Sequence, residues 1–266
     1  MIEEVIMTKE RLKIGIYGLT GCAGDQLTIL NCEDELFDLF RATEICSFPM
    51  AKSDNLEENL DIAFIEGSVS TEEDLRLLKD VRERTKMVIA IGNCSCYGGP
   101  QSGLSLDKNW RKRIKQIYGD VKFDIPPPRD HKPINAYVNV NSLIPGCPID
   151  KGEFLRAICR LVNGDLPIPI NYPVCVECKY NENECLLNKN IMCLGPVINA
   201  GCNSICVNHN LPCVGCRGPV IEAAITSEFE LLLKKGLSSD DIRKRAMLFA
   251  GAPMAQMLKK LMETKK

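Results

Sequence analysis

The chain has 266 residues and a formal net charge of −2, with 45% hydrophobic and 26% charged residues. These proportions are ordinary for a globular protein and allow a sizeable core. The absence of a basic run or stripe argues against nucleic acid or an anionic membrane as the main partner. No run approaches the ~18 consecutive apolar residues of a spanning helix, and no twin-arginine or Sec-type signal opens the chain. We therefore expect a cytoplasmic protein without a membrane span.

Four apolar runs in the first part of the chain predict strands. Three of them are continuous rather than alternating: Lys13–Leu19, Asp61–Val69 and Lys86–Ile91. Continuous runs are typical of parallel strands that are buried on both faces. The fourth predicted strand is Ala136–Leu143.

Helix-like segments separate these strands. They are Asp25–Phe40, Thr71–Thr85 with Ser70 and Asp74 offering an N-cap, and about Lys151–Leu161. The alternation of strands and helices implies an α/β fold with a doubly wound, flavodoxin-like parallel sheet. We assign this fold to a first domain of residues 1–165.

Residues 166–266 predict a second, irregular domain with helices at its end. Leu166–Pro169 reads as an extended linker, and Asn171–Pro219 shows almost no periodicity. Such a segment is expected to bury too little apolar surface to offset its ordering entropy, so bound metal must hold it. The tail returns to helical patterning, with Gly236 as a C-cap and Ser238 opening a second helix.

Cysteine is the most informative residue type. The chain contains 15, and eight of them lie between Cys175 and Cys216. In a reducing compartment such density rarely means disulfides and indicates metal or cluster ligation. Three others, Cys22, Cys94 and Cys147, follow predicted strands. Because loops at the carboxyl ends of parallel strands converge on one crevice, we expect these three to meet.

The phrases around the three strand-end cysteines are specific. They read LTGCAGDQL at Cys22, IGNCSCYGG at Cys94 and IPGCPID at Cys147. They resemble the small subunits of nickel–iron hydrogenases, whose proximal [4Fe–4S] cluster is held by a C-x-G-C pair, a G-x-C…GG loop and a PGCP cysteine. The resemblance implies that these three cysteines are proximal ligands. The phrase IEGSV resembles the family strand that carries a Glu beside that cluster, which implies a hydrogen-bond or proton role for Glu66.

One ligand position departs from the family pattern. Asp25 stands where the second cysteine of the C-x-G-C pair is expected. We hypothesise that its carboxylate is the fourth ligand, a harder donor than thiolate that alters the potential of the cluster. The alternative is that Asp25 only caps the following helix, so that one iron is open or is ligated by Cys96.

The eight clustered cysteines match two four-cysteine [4Fe–4S] sites in number, and the ferredoxin run C-x2-C-x2-C-x3-C-P is absent. The phrases PVCVECKY, MCLGPVINAGCNSIC and PCVGCRGP closely resemble the delta, or small, subunits of sulfhydrogenases and of methyl-viologen-reducing and NAD-linked hydrogenases. The order of ligands in that family implies a distal and then a medial cluster, although spacing alone leaves this partition open. The distal ligands would be Cys175, Cys178, Cys185 and Cys193, and the medial ligands Cys202, Cys206, Cys213 and Cys216.

The remaining metal-binding residue types receive a structural interpretation. Four cysteines outside the ligand phrases are expected to be buried small hydrophobes: Cys32, Cys46, Cys96 and Cys159. The only histidines are His131 and His209, and a ligand role for His209 is the less favoured reading because eight cysteines already fill two sites. A zinc ribbon built on the outer C-x2-C pairs would leave four cysteines of the group unused.

No nickel site is visible, and the Gly-rich phrases lack nucleotide fingerprints, so we expect neither nickel nor flavin in this chain. The resemblance implies three [4Fe–4S] clusters that relay electrons between a Ni–Fe large subunit and an acceptor subunit of the flavin/NAD, ferredoxin-like or heterodisulfide-reductase-linked kind. Two alternatives remain open. One is a cluster subunit of a complex I-like quinone reductase, which would lack the eight-cysteine group, and the other is a zinc-binding structural or assembly protein.

Overall fold

The computed structural model describes residues 11–106, 109–121, 130–249, 251, 253–255 and 257. Its strands are β1 Leu12–Gly18, β2 Thr43–Ser47, β3 Leu60–Glu66, β4 Thr85–Ile91 and β5 Ser142–Ile144. They form one parallel sheet in the order β2-β1-β3-β4-β5. The predicted α/β fold with a parallel sheet is confirmed.

Helices lie between and after the strands. Around the sheet they are α1 Gly24–Leu30, α2 Leu36–Ala42, α3 Glu72–Glu83, α4 Gly92–Tyr97, α5 Gly99–Leu106, α6 Trp110–Tyr118 and α7 Lys151–Val162. Beyond the sheet they are α8 Val174–Tyr180, α9 Ile205–Asn208, α10 Ile225–Lys234 and α11 Ser239–Ala246. Short 3₁₀ turns occur at Ile134–Ala136, Leu186–Lys189 and Gly195–Val197.

Apolar side chains cover both faces of the sheet, as the continuous strand patterns predict. On one face, Ile16 and Phe64 pack with Phe154 of α7, whose ring meets that of Phe64 at 5.4 Å. On the other face, Ile65 contributes to a core with Val81 of α3. Burial on both faces is typical of a doubly wound sheet.

The boundaries differ from the sequence prediction in the first helical segment. The segment Asp25–Phe40 forms two helices, α1 and α2, because α1 ends at the C-cap Asn31. Strand β2 follows α2 without a turn and was not predicted, since TEICS is short and carries a charge. A short strand at the edge of a sheet needs little apolar pattern.

The fourth predicted strand is largely wrong. Residues Ile134–Ala136 form a 3₁₀ turn, and β5 covers only Ser142–Ile144. Just before it, the side-chain Oδ1 of Asn141 accepts the amide of Val88 at 2.9 Å, while the Asn141 amide donates to the Val88 carbonyl at 2.8 Å. The Asn141 side chain therefore replaces one backbone acceptor in the hydrogen-bond ladder beside β4.

The N-cap of α3 is Thr71 rather than Ser70. Thr71 Oγ1 accepts the Asp74 amide at 3.0 Å, and Asp74 Oδ2 accepts the Thr71 amide at 2.9 Å. This reciprocal pair is a capping box. The hydroxyl of Ser70 is therefore not used for capping.

We call residues 171–219 the cysteine block. Contrary to the sequence expectation, this block has an apolar core of its own. The core includes Val174, Leu187, Leu194, Ile198 and Val207. Helices α10 and α11 extend this core with Leu232 and Ile242. As predicted, Ser238 caps α11 by accepting the Asp241 amide at 3.1 Å.

Candidate functional site

Three cysteines lie near one another at the carboxyl edge of the sheet. Cys22 follows β1, Cys94 lies in α4 directly after β4, and Cys147 follows β5. Burial, and next the neighbouring Cys94 and Asp25, raise the pKa of the Cys147 thiol to about 12. Burial also raises the pKa of Cys94, with Asp25 and Cys22 adding to the shift. The parallel topology thus brings together the strand-end cysteines.

Two glycines leave space beside these thiols. A Cβ at Gly99, where φ is +67°, would stand 2.5 Å from Cys94 Sγ, and a Cβ at Gly24 would stand 3.3 Å from Cys22 Sγ. Any side chain at Gly99 would enter the volume of the sulfur. Glycine at such positions lets the backbone approach a bulky group closely.

Asp25 is buried beside the three cysteines. Its Oδ1 accepts a hydrogen bond from the Ile149 amide at 2.8 Å. Helix α1 has Ala23 at its N-cap and no side-chain cap bond, so Asp25 does not cap the helix. Burial, and next the charge of Glu66, raise the pKa of Asp25 to about 7.

Glu66 ends β3 and is 2% exposed. Its Oε1 accepts the Asp25 amide at 3.3 Å, and its Oε2 accepts the Gln26 amide at 3.2 Å. Glu66 therefore fixes the start of α1 and holds a second carboxylate next to Asp25.

Cys96 is separated from this edge despite its place in the same phrase. It is 2% exposed, and its Sγ contacts the Ala90 carbonyl oxygen of β4 at 3.6 Å. Both residues belong to α4, but Cys96 is buried in the core, whereas Cys94 lies at the sheet edge.

The cysteine block contains two groups of thiols. In the first, burial and the neighbouring Cys193, Cys178 and Cys185 raise the pKa of Cys175 to about 12. In the second, burial and the neighbouring Cys202 and Cys206 raise the pKa of Cys216 to about 11. Crowded thiols of this kind disfavour one another as anions and are stabilised as thiolates when they share a cation or a cluster.

Cys213 connects the two groups. Burial raises its pKa well above the ordinary value, and both Cys193 and Cys216 add to the shift. The Cys213 amide donates to the Cys193 sulfur at 3.3 Å. The two groups are therefore adjacent.

Cys216 lies next to the sheet edge as well. The Cys147 amide lies beside its sulfur and lowers the pKa of its thiol, and Asn93 Nδ2 donates to the Cys216 carbonyl oxygen at 2.7 Å. The Asn93 amide donates to the Gly146 carbonyl oxygen at 2.5 Å. The sheet-edge thiols, the Cys216 group and the Cys175 group thus form a continuous series.

Arg217 joins the cysteine block to the sheet and is 1% exposed. Its Nη1 donates to the Pro145 carbonyl oxygen at 2.6 Å, and its Nε donates to the Ala200 carbonyl oxygen at 2.5 Å. Its Nη2 pairs with Glu153 of α7. Sequence reasoning missed this residue, and its only cue was an arginine directly beside a ligand-type cysteine.

Two more residues of the cysteine block support its thiols. Glu177 accepts the amides of Gly201 at 2.7 Å and Ser204 at 3.0 Å, which ties α8 to the loop around Cys202. A Cβ at Gly195 would stand 3.3 Å from Cys175 Sγ and 3.6 Å from Cys193 Sγ. The cue for Glu177 was an acid inside the first C-x2-C pair.

The other cysteines divide by exposure. Cys32, Cys46 and Cys96 are buried, as expected, but Cys159 is exposed on α7, which corrects its predicted burial. His209 is exposed at the end of α9. At the opposite edge of the sheet, Glu44, Cys46 and Glu58 lie together, but Lys13 Nζ already pairs with Glu58 at 2.6 Å.

The donor set fits iron–sulfur clusters. Thiols, which bind metal as soft thiolates, dominate it, glycines leave open volume beside the sulfurs, and a main-chain amide donates to the sulfur of Cys193. Zinc would need only four such ligands for each ion in a closed tetrahedron. Among the described residues, no helix is long and apolar enough to span a bilayer.

Comparison with known proteins shows which family this chain resembles. Residues 22–161 match the family described as NADH ubiquinone oxidoreductase, 20 kDa subunit. The chain is 40% identical over 242 residues to the sulfhydrogenase 2 subunit delta of Pyrococcus furiosus, covering 90% of this chain and 99% of that protein. It is 31% identical to a vhu subunit of the F420-non-reducing hydrogenase from Methanocaldococcus jannaschii, covering 78% of this chain and 82% of that protein.

A solved structure, the actinobacterial-type NiFe-hydrogenase from Ralstonia eutropha, shares the fold with a TM-score of 0.58 at 16% identity, covering 97% of this chain and 91% of that one. The matches in sequence place the chain among oxidoreductase subunits. Within that class, the chain belongs to the small (delta) subunits of nickel–iron hydrogenases, which confirms the resemblance read from its cysteine phrases.

Proposed function

We propose that this chain holds three [4Fe–4S] clusters and relays electrons between the Ni–Fe site of a hydrogenase large subunit and an acceptor subunit. The observation that carries the proposal is the continuous series of thiols. Cys147 at the sheet edge lies beside Cys216, and the amide of Cys213 in the same group donates to the Cys193 sulfur. Each cluster, when bound, supplies a site that accepts and releases one electron at a time.

The proposed proximal ligands are Cys22, Cys94 and Cys147, with a carboxylate oxygen of Asp25 as the fourth. The burial of Asp25 and its lack of a helix-cap bond support this assignment. Glu66 holds the Asp25 amide and thereby positions the carboxylate. An oxygen ligand changes the electronics of the bound cluster because it is harder than thiolate.

The other two sites follow the two groups of the cysteine block. We assign Cys175, Cys178, Cys185 and Cys193 to the distal cluster, and Cys202, Cys206, Cys213 and Cys216 to the medial one. The proximity of Cys175 to Cys193 and of Cys216 to Cys202 supports this partition. The proposed domains are residues 1–165, which hold the proximal site, and residues 166–266, which hold the other two.

The large subunit is proposed to cover the sheet edge at Cys22, because a low-potential cluster there needs shielding from solvent and oxygen. The acceptor subunit is proposed to face the Cys175 group, and it would be of the flavin/NAD, ferredoxin-like or heterodisulfide-reductase-linked kind. The high density of cysteines, assigned here to clusters and not to disulfides, favours the reducing cytoplasm as the location.

Iron and sulfide analysis of the anaerobically purified complex tests the proposal, with about twelve irons and matching sulfide expected for this chain. Cys185→Ser should lower that count by about four and remove only the distal electron paramagnetic resonance signal. Cys159→Ser, at the exposed cysteine of α7, is the matched control and should change neither. Zinc without sulfide, or about four irons in the parent, would overturn the three-cluster relay.

A further inference from the structure

A series of side-chain hydrogen bonds connects Cys94 with His131. Cys94 Sγ lies 3.8 Å from Gln101 Oε1, and Gln101 Nε2 lies 3.0 Å from Ser68 Oγ. Ser68 Oγ is 3.3 Å from Ser70 Oγ, which in turn is 2.5 Å from His131 Nδ1. We call these five residues the Cys94–His131 chain.

The middle residues of the Cys94–His131 chain are shielded from solvent. Ser68 is 0% exposed and Ser70 is 2% exposed, whereas His131 is only half-buried. Buried hydroxyls keep hydrogen-bond partners, and partners in a series polarise one another. Ser70 is available for this role because Thr71 caps α3 in its place.

The position of His131 is fixed by the backbone around it. The Val69 amide donates to the Lys132 carbonyl oxygen at 3.0 Å, and the Lys132 amide donates back to Val69 at 3.3 Å. This antiparallel pairing holds the histidine beside the extension of β3, next to Ser70.

The direction of the hydrogen bonds depends on the charge of Cys94. When Cys94 is a thiol, its S–H donates to Gln101 Oε1, each later group donates onward, and His131 Nδ1 accepts. A thiolate that ligates iron has no proton to donate, so the amide of Gln101 turns and its Nε2–H donates to the sulfur. Every later donor then reverses, and His131 Nδ1 carries the hydrogen.

We propose that the Cys94–His131 chain makes His131 the redox-linked protonation site of the proximal cluster. His131 acts as a positioning residue through Ser70, Ser68 and Gln101 on the Cys94 sulfur. The inference rests on the proposed function, since Cys94 must be a cluster ligand.

Reduction of the proximal cluster is coupled to protonation of His131 through the negative charge on the cluster. Reduction adds one electron to the cluster and increases negative charge on its sulfurs, which strengthens donation by Gln101 and favours His131 Nδ1–H. One proton from solvent then binds Nε2 and forms the imidazolium. The electron comes from the H2 oxidation of the large subunit. Proton uptake with reduction means that the cluster potential falls as pH rises through the range in which His131 titrates.

The charged groups that face His131 within the described residues are Asp74 and Asp130. Burial lowers the pKa of His131, while Asp130 and Asp74 raise it. Burial outweighs the two carboxylates, so the pKa of His131 lies below the ordinary value of histidine.

The test is a potentiometric titration of the proximal electron paramagnetic resonance signal in the whole complex, repeated across about pH 5 to 8. The parent potential should fall as pH rises. The amide of His131→Gln can still form a hydrogen bond with Ser70 but does not titrate. The proximal-cluster potential of this variant should therefore not change with pH. It should match the parent at the alkaline end and lie below the parent at the acidic end.

Ser70→Ala removes the hydroxyl that links Ser68 to His131 but keeps the imidazole and the capping box of Thr71 and Asp74. It should also reduce the change of the proximal-cluster potential with pH. His209→Gln, at the exposed histidine of the cysteine block, is the matched control and should keep the parent slope. A flat parent potential, or a parent-like slope in both His131→Gln and Ser70→Ala, overturns the inference while the cluster signal upholds the proposed function. Absence of a proximal signal in the parent overturns both.

Discussion

Arg217 and Glu153 form a buried ion pair across the boundary between the sheet and the cysteine block, with Nη2 2.7 Å from Oε2. The side chains are 2% and 13% exposed. Glu153 lies on α7, whereas Arg217 follows Cys216 directly, so the pair fixes the second thiol group against the sheet edge.

Glu153→Ala should destabilise the protein by about 3–5 kcal/mol, because it leaves the guanidinium of Arg217 buried without its carboxylate. Urea unfolding of the anaerobically purified protein measures this change. Asp165→Ala, which removes the largely exposed pair with Arg160, is the control and should have little effect. A loss below about 1 kcal/mol for Glu153→Ala would mean that the pair contributes no more than a surface ion pair.

Substitution of Asp25 separates a ligand role from a structural one. Asp25→Asn keeps an oxygen to accept the Ile149 amide, and Asp25→Cys restores an all-thiolate site. If Asp25 is a ligand, both changes should alter the proximal electron paramagnetic resonance signal, and Asp25→Cys should also shift its midpoint potential. An unchanged signal in Asp25→Cys and Asp25→Asn would show that the carboxylate only holds the loop.

Glu228 gives a pH dependence to stability. It is 7% exposed on α10 and lies near Cys175, and burial raises its pKa from 4.5 to about 7. The folded state holds the proton of Glu228 more tightly than the unfolded state does. The contribution of Glu228 to stability is therefore greatest below pH 4.5 and is lost as pH rises through about 7. A shift of this size corresponds to about 3 kcal/mol.

Glu228→Gln should therefore stabilise the protein by up to about 3 kcal/mol above pH 7 and have no effect below pH 4.5. Urea unfolding at both ends of this range measures the difference. Glu222→Gln, at an exposed acid just before α10, provides the comparison and should show no such trend. A gain that is equal at both pH values would rule out titration as its cause.

Gly195→Ala tests the space reserved beside the distal thiols. The new methyl would stand 3.3 Å from Cys175 Sγ, so the distal cluster should be lost in part, with iron falling by up to about four per chain. Gly103→Ala is the control, because its methyl meets only a backbone oxygen at 3.7 Å. Full iron content in Gly195→Ala would show that the thiols have room to move.

The sequence predicted the sheet well because its strands are buried on both faces. Short continuous apolar runs such as Lys86–Ile91, which glycine follows, are typical of such strands. Strand β2 was missed because an edge strand needs no such run. The predicted strand at Ala136–Leu143 was too long, because the side chain of Asn141 substitutes for part of the ladder.

The strand-end cysteines were predicted to meet from topology alone, and they do. The contacts between Cys147 and Cys216 and between Cys193 and Cys213 were not predictable in this way, since no strand order governs the cysteine block. The same limit applies to Arg217 and Asn93, whose roles depend on how the block folds back.

Several polar contacts cross the boundary between sheet and cysteine block. Arg217 binds Glu153 and the Pro145 carbonyl oxygen, and Asn93 binds the Cys216 carbonyl oxygen. Water replaces such partners at small net cost when a polar contact is uncovered, whereas an uncovered apolar face would promote aggregation. Removal of the block would therefore leave polar groups that water can solvate at these points of the sheet edge, so the sheet does not depend on the block to keep its surface compatible with water there.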